Sequence, residues 1–143
     1  MHTGAARALV HRLKYEGIVA AAAVLAGRMV AALPADAAEL VPIPRSRWRA
    51  IRFGVDPGLE LAMRLSKATG LPVTSALAPP LVARHNAGRS RPERHAPGLR
   101  ATGEVGVGAV LVDDVVTTGV TLATAISILG DGVRGAVTAT VSV

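Results

Sequence analysis

Residues 113–121 read Asp-Asp-Val-Val-Thr-Thr-Gly-Val-Thr and follow the aliphatic run 109–112 directly. Adjacent carboxylates repel each other where they are partly buried. They are tolerated when they share a cation or accept hydrogen bonds from hydroxyls. Thr117, Thr118 and Thr121 supply hydroxyls beside the first turn of a helix expected to start at Val120. A helix start carries unpaired N–H groups and a partial positive charge, which suits a phosphate. Gly119 lets the backbone approach an anion closely. Acids able to hold a diol, set beside a phosphate cradle built from Val115, Val116, Thr117, Thr118, Gly119, Val120 and Thr121, describe a ribose 5-phosphate pocket. In a purely structural account, Asp113 ends a strand, Thr118 caps a helix and Gly119 makes a turn. That account covers each residue singly but not their coincidence.

Other phosphate-handling motifs fail on specific positions. A P-loop needs G-x-x-x-x-G-K-[ST], and neither Lys14 nor Lys67 follows a glycine. A dinucleotide turn needs G-x-G-x-x-G, yet Gly106-Val107-Gly108 is followed by Leu111 at the third glycine position, and it precedes a strand. A receiver domain also pairs acids after an aliphatic strand, but no lysine lies in the distal half of this chain.

The elements that must position these residues follow from periodicity and punctuation. Residues 4–33 read as helical, divided near Gly17 and ended by Leu33-Pro34. A short apolar strand is expected at 39–43, stopped by Pro42 and Pro44. A helix is expected at 57–69, with Asp56 as N-cap, Pro57 in the first turn and Gly70 as C-cap. Strands are expected at 73–77, 109–112 and 136–143, with a helix at 120–129 closed by Gly130-Asp131-Gly132. Residues 78–108 lack clear periodicity, which marks a long functional excursion with room for a short hairpin. This alternation predicts an α/β fold, a parallel central sheet with helices on both faces, in a single domain spanning 1–143. Ligands in such sheets bind beyond the carboxyl ends of strands, where strand order switches. The ends to inspect lie after Ile43, Leu77 and Val112.

Composition narrows the class. Half of the 143 residues are hydrophobic but only 2% are aromatic, so the core is built from Ala, Val, Leu and Ile. Continuous aliphatic runs suit strands buried on both faces. With no cysteine, a disulfide framework and a Cys-ligated zinc are excluded. The apolar stretch 17–27 is short of the ~20 residues that span a bilayer. The N-terminus also lacks the pattern of a secretory signal. The sequence therefore reads as soluble and cytoplasmic, with no membrane partner. The net charge is +6, and all but Lys14 and Lys67 of the 16 basic residues are arginine. Arginine's planar fork matches phosphate bidentately. A nucleic-acid surface and the codon usage of a GC-rich genome are the other sources of such a bias.

The 113–121 stretch resembles the fingerprint of type I phosphoribosyltransferases: a hydrophobic strand, two acids, two hydrophobics, then Thr-Gly-x-Thr. Asp113, Asp114, Val115, Val116, Thr118, Gly119 and Thr121 match it position by position. Thr117 stands where many members carry Asp, and Val120 is bulkier than the usual residue. More narrowly, the chain is similar to the ComF family, phosphoribosyltransferase-like proteins associated with competence and DNA uptake. His11-Arg12-Leu13-Lys14-Tyr15-Glu16-Gly17 resembles that family's Leu-Lys-Tyr-x-Gly segment. Val41-Pro42-Ile43-Pro44, followed by Arg47, Arg49 and Arg52, resembles its Val-Pro-Val-Pro and arginine run. Gly54 falls at the glycine of its Arg-Gly-Phe-Asn-Gln stretch, although Phe53-Gly54-Val55-Asp56-Pro57 departs from that stretch otherwise. The cysteine-rich zinc segment that often precedes the domain is not in this sequence.

The resemblance implies a type I phosphoribosyltransferase-like fold with a flexible hood over about 78–108. Its ligand would be phosphoribosyl pyrophosphate (PRPP), or another ribose 5-phosphate, with Mg2+. Asp113 and Asp114 would contact the ribose hydroxyls and meet the metal only through the ligand, and the 117–121 loop would hold the 5-phosphate. The implied reaction displaces pyrophosphate from the anomeric carbon in favour of an acceptor that the sequence does not identify. A non-catalytic PRPP sensor or DNA-uptake accessory is the other reading, and a homodimer is common for the fold. Nine of the 14 arginines fall in two stretches: Arg45, Arg47, Arg49 and Arg52, then Arg84, Arg89, Arg91, Arg94 and Arg100. In the resembled fold the first stretch neighbours the pyrophosphate and the second is the hood. Arg45, Ser46, Arg47 and Arg84 are therefore the pyrophosphate-binding candidates. Clustered arginine also tracks nucleic-acid backbones. However, Tyr15, Trp48 and Phe53 are the only aromatics, too few for a stacking platform. His85 and His95 have no ligand partners at metal spacing.

Overall fold

The computed structural model describes residues 4–12, 20–45, 51–52, 54–79 and 98–141. Its centre is a parallel sheet of β1 (Glu39–Pro42), β4 (Ala109–Val116) and β5 (Val133–Val141), in the order β1-β4-β5. Val73 extends the sheet on the far side of β1 by a single parallel bridge to Leu40. Helices α1 (Gly4–His11), α2 (Ala20–Met29) and α3 (Pro57–Thr69) cover one face. Helix α4 (Val120–Leu129) covers the other, beside a small antiparallel hairpin of β2 (Leu77–Ala78) and β3 (Arg100–Ala101). The protein is thus α/β, with a parallel sheet and helices on both faces.

Two apolar clusters explain the aliphatic strands. Leu40, Val110, Val112 and Val137 face the α1–α3 layer with Leu25, Leu61 and Leu65. Val41, Ile43, Ala109 and Leu111 face α4 and the hairpin with Ala125 and Leu77. Residues 40–41 of β1 and 109–112 of β4 alternate between the clusters, so every residue of those runs is apolar rather than every second one.

The local signals of α3 act as the sequence predicts. The Asp56 carboxylate accepts the Leu59 N–H at 3.3 Å, Pro57 opens the helix, and Gly70 closes it at φ 80° with its N–H on Ser66 O at 2.8 Å. Helix α2 passes into a 3-10 turn, Val30–Ala32, before Leu33-Pro34. The expected division near Gly17 lies outside the described residues.

Three strand expectations are corrected. The strand expected at 73–77 is not continuous. Pro72 O and the Thr74 N–H flank Leu40 at 2.8 and 2.9 Å, then the Ala76 N–H bonds Thr74 O at 3.0 Å and turns the chain into the antiparallel hairpin. Strand β4 runs to Val116 rather than Val112, because β5 keeps pairing through Val115↔Thr140 and Val116↔Val141. Strand β5 starts at Val133. A register shift between Ala109 and Val110 takes up one extra residue beside Gly135. The exposed Arg134 there reaches Asp36 Oδ2 at 2.8 Å.

Candidate functional site

The site starts from the order in which the strands are connected. The chain leaves β1, runs through α3 on one face and returns at Val73, on the side of β1 away from β4. It leaves β4, runs through α4 on the opposite face and returns in β5, on the side of β4 away from β1. Two adjacent parallel strands whose connections depart in opposite directions, on opposite faces, define a switch point, and the crevice at their carboxyl ends is where α/β sheets bind ligands. Of the three strand ends singled out in the sequence, those after Ile43 and Val112 meet here. The third, after Leu77, lies in the hairpin.

Pairing with β1 stops before β4 does. The Ile43 N–H donates to Val112 O at 2.9 Å, and β4 continues for four more residues beyond Val112. Asp113 and Asp114 are the first two of those four. Asp113 is half-buried, and its Oδ1 accepts the Asp114 N–H at 2.8 Å. Asp114 is buried at 6% exposure.

The start of α3 is wedged against the same strand ends. A Cβ added at Gly58 would lie 2.5 Å from Ile43 O and 3.3 Å from Val112 O. Glycine in a helix costs about 1 kcal/mol relative to alanine, and here the close approach of helix to strand explains it. Asp56 joins the same construction: its Oδ2 accepts the Arg45 N–H at 3.0 Å while its Oδ1 caps the helix. The Arg45 Nη1 donates to Val55 O at 3.2 Å. The sequence marked Asp56 only as a cap. The unusual Gly58 in a first helical turn was the available signal for the wedge.

The turn from β4 into α4 removes one role expected for Thr118, that of helix cap. The N-cap is Gly119 at φ 75°, and no side chain caps the helix. Gly119 O accepts the Ala123 N–H at 2.9 Å, so the N–H groups of Val120, Thr121 and Leu122 have no partner within α4. Thr118 is not the cap. Thr117 and Thr118 are exposed, Thr121 is half-buried, and Val120 is 43% exposed. A Cβ at Gly119 would meet nothing within 4 Å, so the left-handed φ, not crowding, calls for glycine. Val115 and Val116 are half-buried in the strand that leads to the turn.

The other sequence candidates separate. Arg45 sits two residues past Ile43, at the crevice, with its guanidinium turned at least in part onto the 55 carbonyl. Ser46, Arg47 and Arg84, like His85 and His95, lie outside the described residues. Gly106 and Gly108 serve the opposite end of the sheet. The Gly108 N–H bonds Gly132 O at 3.0 Å, and the Glu39 carboxylate accepts the Gly106 N–H and the Thr74 hydroxyl. Among the described residues, no three His, Cys, Asp or Glu side chains gather as a metal cage, and no helix is long and apolar enough to cross a membrane. Comparison of the chain with protein-family models, curated proteins and solved structures finds no significant match.

Proposed function

We propose that the crevice between β1 and β4 binds phosphoribosyl pyrophosphate with Mg2+, and that the protein transfers the phosphoribosyl group to an acceptor with release of pyrophosphate. One observation carries this reading. The acid pair of the phosphoribosyltransferase-like fingerprint coincides with the switch point of the sheet, and the same strand runs on into a helix start without a side-chain cap. Neither the topology nor the missing cap was part of the sequence match, so their coincidence supports the reading independently.

In this reading the 5-phosphate lies on the 117–121 turn. The free N–H groups of Val120 and Thr121 and the hydroxyls of Thr117, Thr118 and Thr121 donate to its oxygens. Asp113 and Asp114 accept from the ribose hydroxyls. A magnesium ion commonly binds through one or two carboxylates plus substrate phosphates rather than a protein cage. An acid pair without a third ligand fits a metal that arrives with the pyrophosphate, where it would neutralise the leaving group. In the reaction the anomeric C–O bond to pyrophosphate breaks and a bond to the acceptor forms. Positive charge develops on the sugar between them, and the fixed carboxylates are suited to stabilise it.

Calorimetric titration tests the reading. PRPP is titrated with magnesium and with chelator into the natural protein and into Asp113→Asn/Asp114→Asn, with circular dichroism to verify folding. The expected outcome is magnesium-dependent binding that weakens roughly tenfold or more in the double variant, the scale of losing one charge-assisted hydrogen bond. A folded natural protein that binds no PRPP overturns the proposal.

A further inference from the structure

Strand β5 ends the sheet, and among the described residues no main chain pairs with its outer edge. It holds one register against β4 from Gly135 to Val141. An edge strand presents a row of main-chain donors and acceptors, and proteins protect it with proline, charge, a bulge or a short length. On β5 these devices lie at one end. The register shift falls beside Gly135, and the single charge of the strand, Arg134, is held by Asp36 at 2.8 Å. Residues 135–141 contain no proline and no charge.

The order of residues along this edge points to its partner. Residues 137–141 read Val-Thr-Ala-Thr-Val, the same in both directions about Ala139. A two-fold axis between antiparallel strands sets each residue against the one equally far beyond the axis. With the axis at Ala139, valine meets valine and threonine meets threonine, one from each copy. An axis at Thr138 would instead set Val137 against Ala139, and one at Val137 would set Ala136 against Thr138. Matched β-branched and Thr–Thr pairs are favourable cross-strand neighbours, and in this register no charge faces its own kind. We infer that the outer edge of β5 is a self-association surface, on which a second copy of the chain pairs antiparallel through 137–141. The joined sheet runs β1-β4-β5 and then β5-β4-β1 of the second copy. The two crevices lie at opposite ends of it, because the strands of the two copies run in opposite directions, and each is built by one chain. The inference does not rest on the PRPP reading, and neither falls with the other.

Sedimentation velocity over a range of protein concentrations reads the mass, and introduced cysteines read the axis. The chain has no cysteine of its own, so one placed on the axis finds only its copy. Residues directly opposite in antiparallel strands lie ~4.5–5.5 Å apart at Cα, within the reach of a disulfide. The natural protein is expected to pass from monomer to dimer as concentration rises. Ala139→Cys should give a disulfide-linked dimer on mild oxidation, while Ala123→Cys, at an exposed position of α4, should not. Thr138→Lys, which sets a charge into the half-buried middle of the edge, should remain monomeric with an unchanged circular dichroism spectrum. Ala136→Lys, at an exposed position of the same strand, is the second charge variant and should shift the equilibrium the same way. A natural protein that stays monomeric at every concentration overturns the inference. So does a dimer that crosslinks through 123 and not 139, or one that persists in both lysine variants.

Discussion

Aspartate, threonine and glycine dominate the residue-scale argument because each does something its neighbours cannot. Gly119 is the clearest case. Its φ of 75° is a left-handed conformation that costs an L side chain about 1–2 kcal/mol. Space is not the constraint, since a Cβ there touches nothing. Gly119→Ala should therefore fold, lose roughly 1 kcal/mol in urea denaturation, and weaken ribose 5-phosphate binding as the turn relaxes toward negative φ. Unchanged phosphate affinity in the alanine variant would remove the turn from the site. The acids were legible from their spacing alone. Their unequal burial, Asp113 half-exposed and Asp114 at 6%, was not, because it depends on where β1 stops beside them. Whether Thr118 caps α4 was not legible in the sequence, and the geometry of the helix start gives that place to Gly119.

For whole elements, local chemistry fixes ends better than partners. Helix α3 has its N-cap, its proline and its glycine stop where the sequence puts them, because each signal acts within a few residues. The strand expected at 73–77 shows the converse. Its residues suit a strand, yet they make one bridge and then turn to pair with Arg100–Ala101. Pairing partners more than 20 residues away along the chain decided this, and no local pattern encodes them. Strand β4 gained four residues for the same reason, through β5. The packing of α3 on the strand ends gives a prediction at this scale. Gly58→Ala gains about 1 kcal/mol of helix propensity but drives a methyl group to 2.5 Å from Ile43 O. Overpacking of that kind costs about 1–3 kcal/mol. The variant should be net destabilised in urea, with PRPP binding weakened as the strand ends are pushed apart; a more stable variant with intact binding would contradict the wedge.

Taken whole, the molecule carries a net charge of +6, with nine of its 14 arginines in two stretches of the sequence, which the proposed function assigns to the pyrophosphate end. Screening should therefore act on pyrophosphate more than on ribose 5-phosphate, which carries less charge. As ionic strength rises from about 0.05 to about 0.5 M, the Debye length falls from above to below ~10 Å. Pyrophosphate affinity should then fall more steeply than ribose 5-phosphate affinity in parallel titrations. Equal slopes would leave the arginine stretches without a role in the site. The sequence by itself determined the class of fold, the ends of α3 and α4, the aliphatic strands buried on both faces and the acid–threonine–glycine stretch. All of these rest on residue type and short-range periodicity. Tertiary structure alone decided that the ends of β1 and β4 adjoin at a switch point, that Gly119 and not Thr118 opens α4, and that Asp56 clasps Arg45. Those depend on strand order and on contacts between segments far apart in the chain, which become defined only when the sheet closes its register.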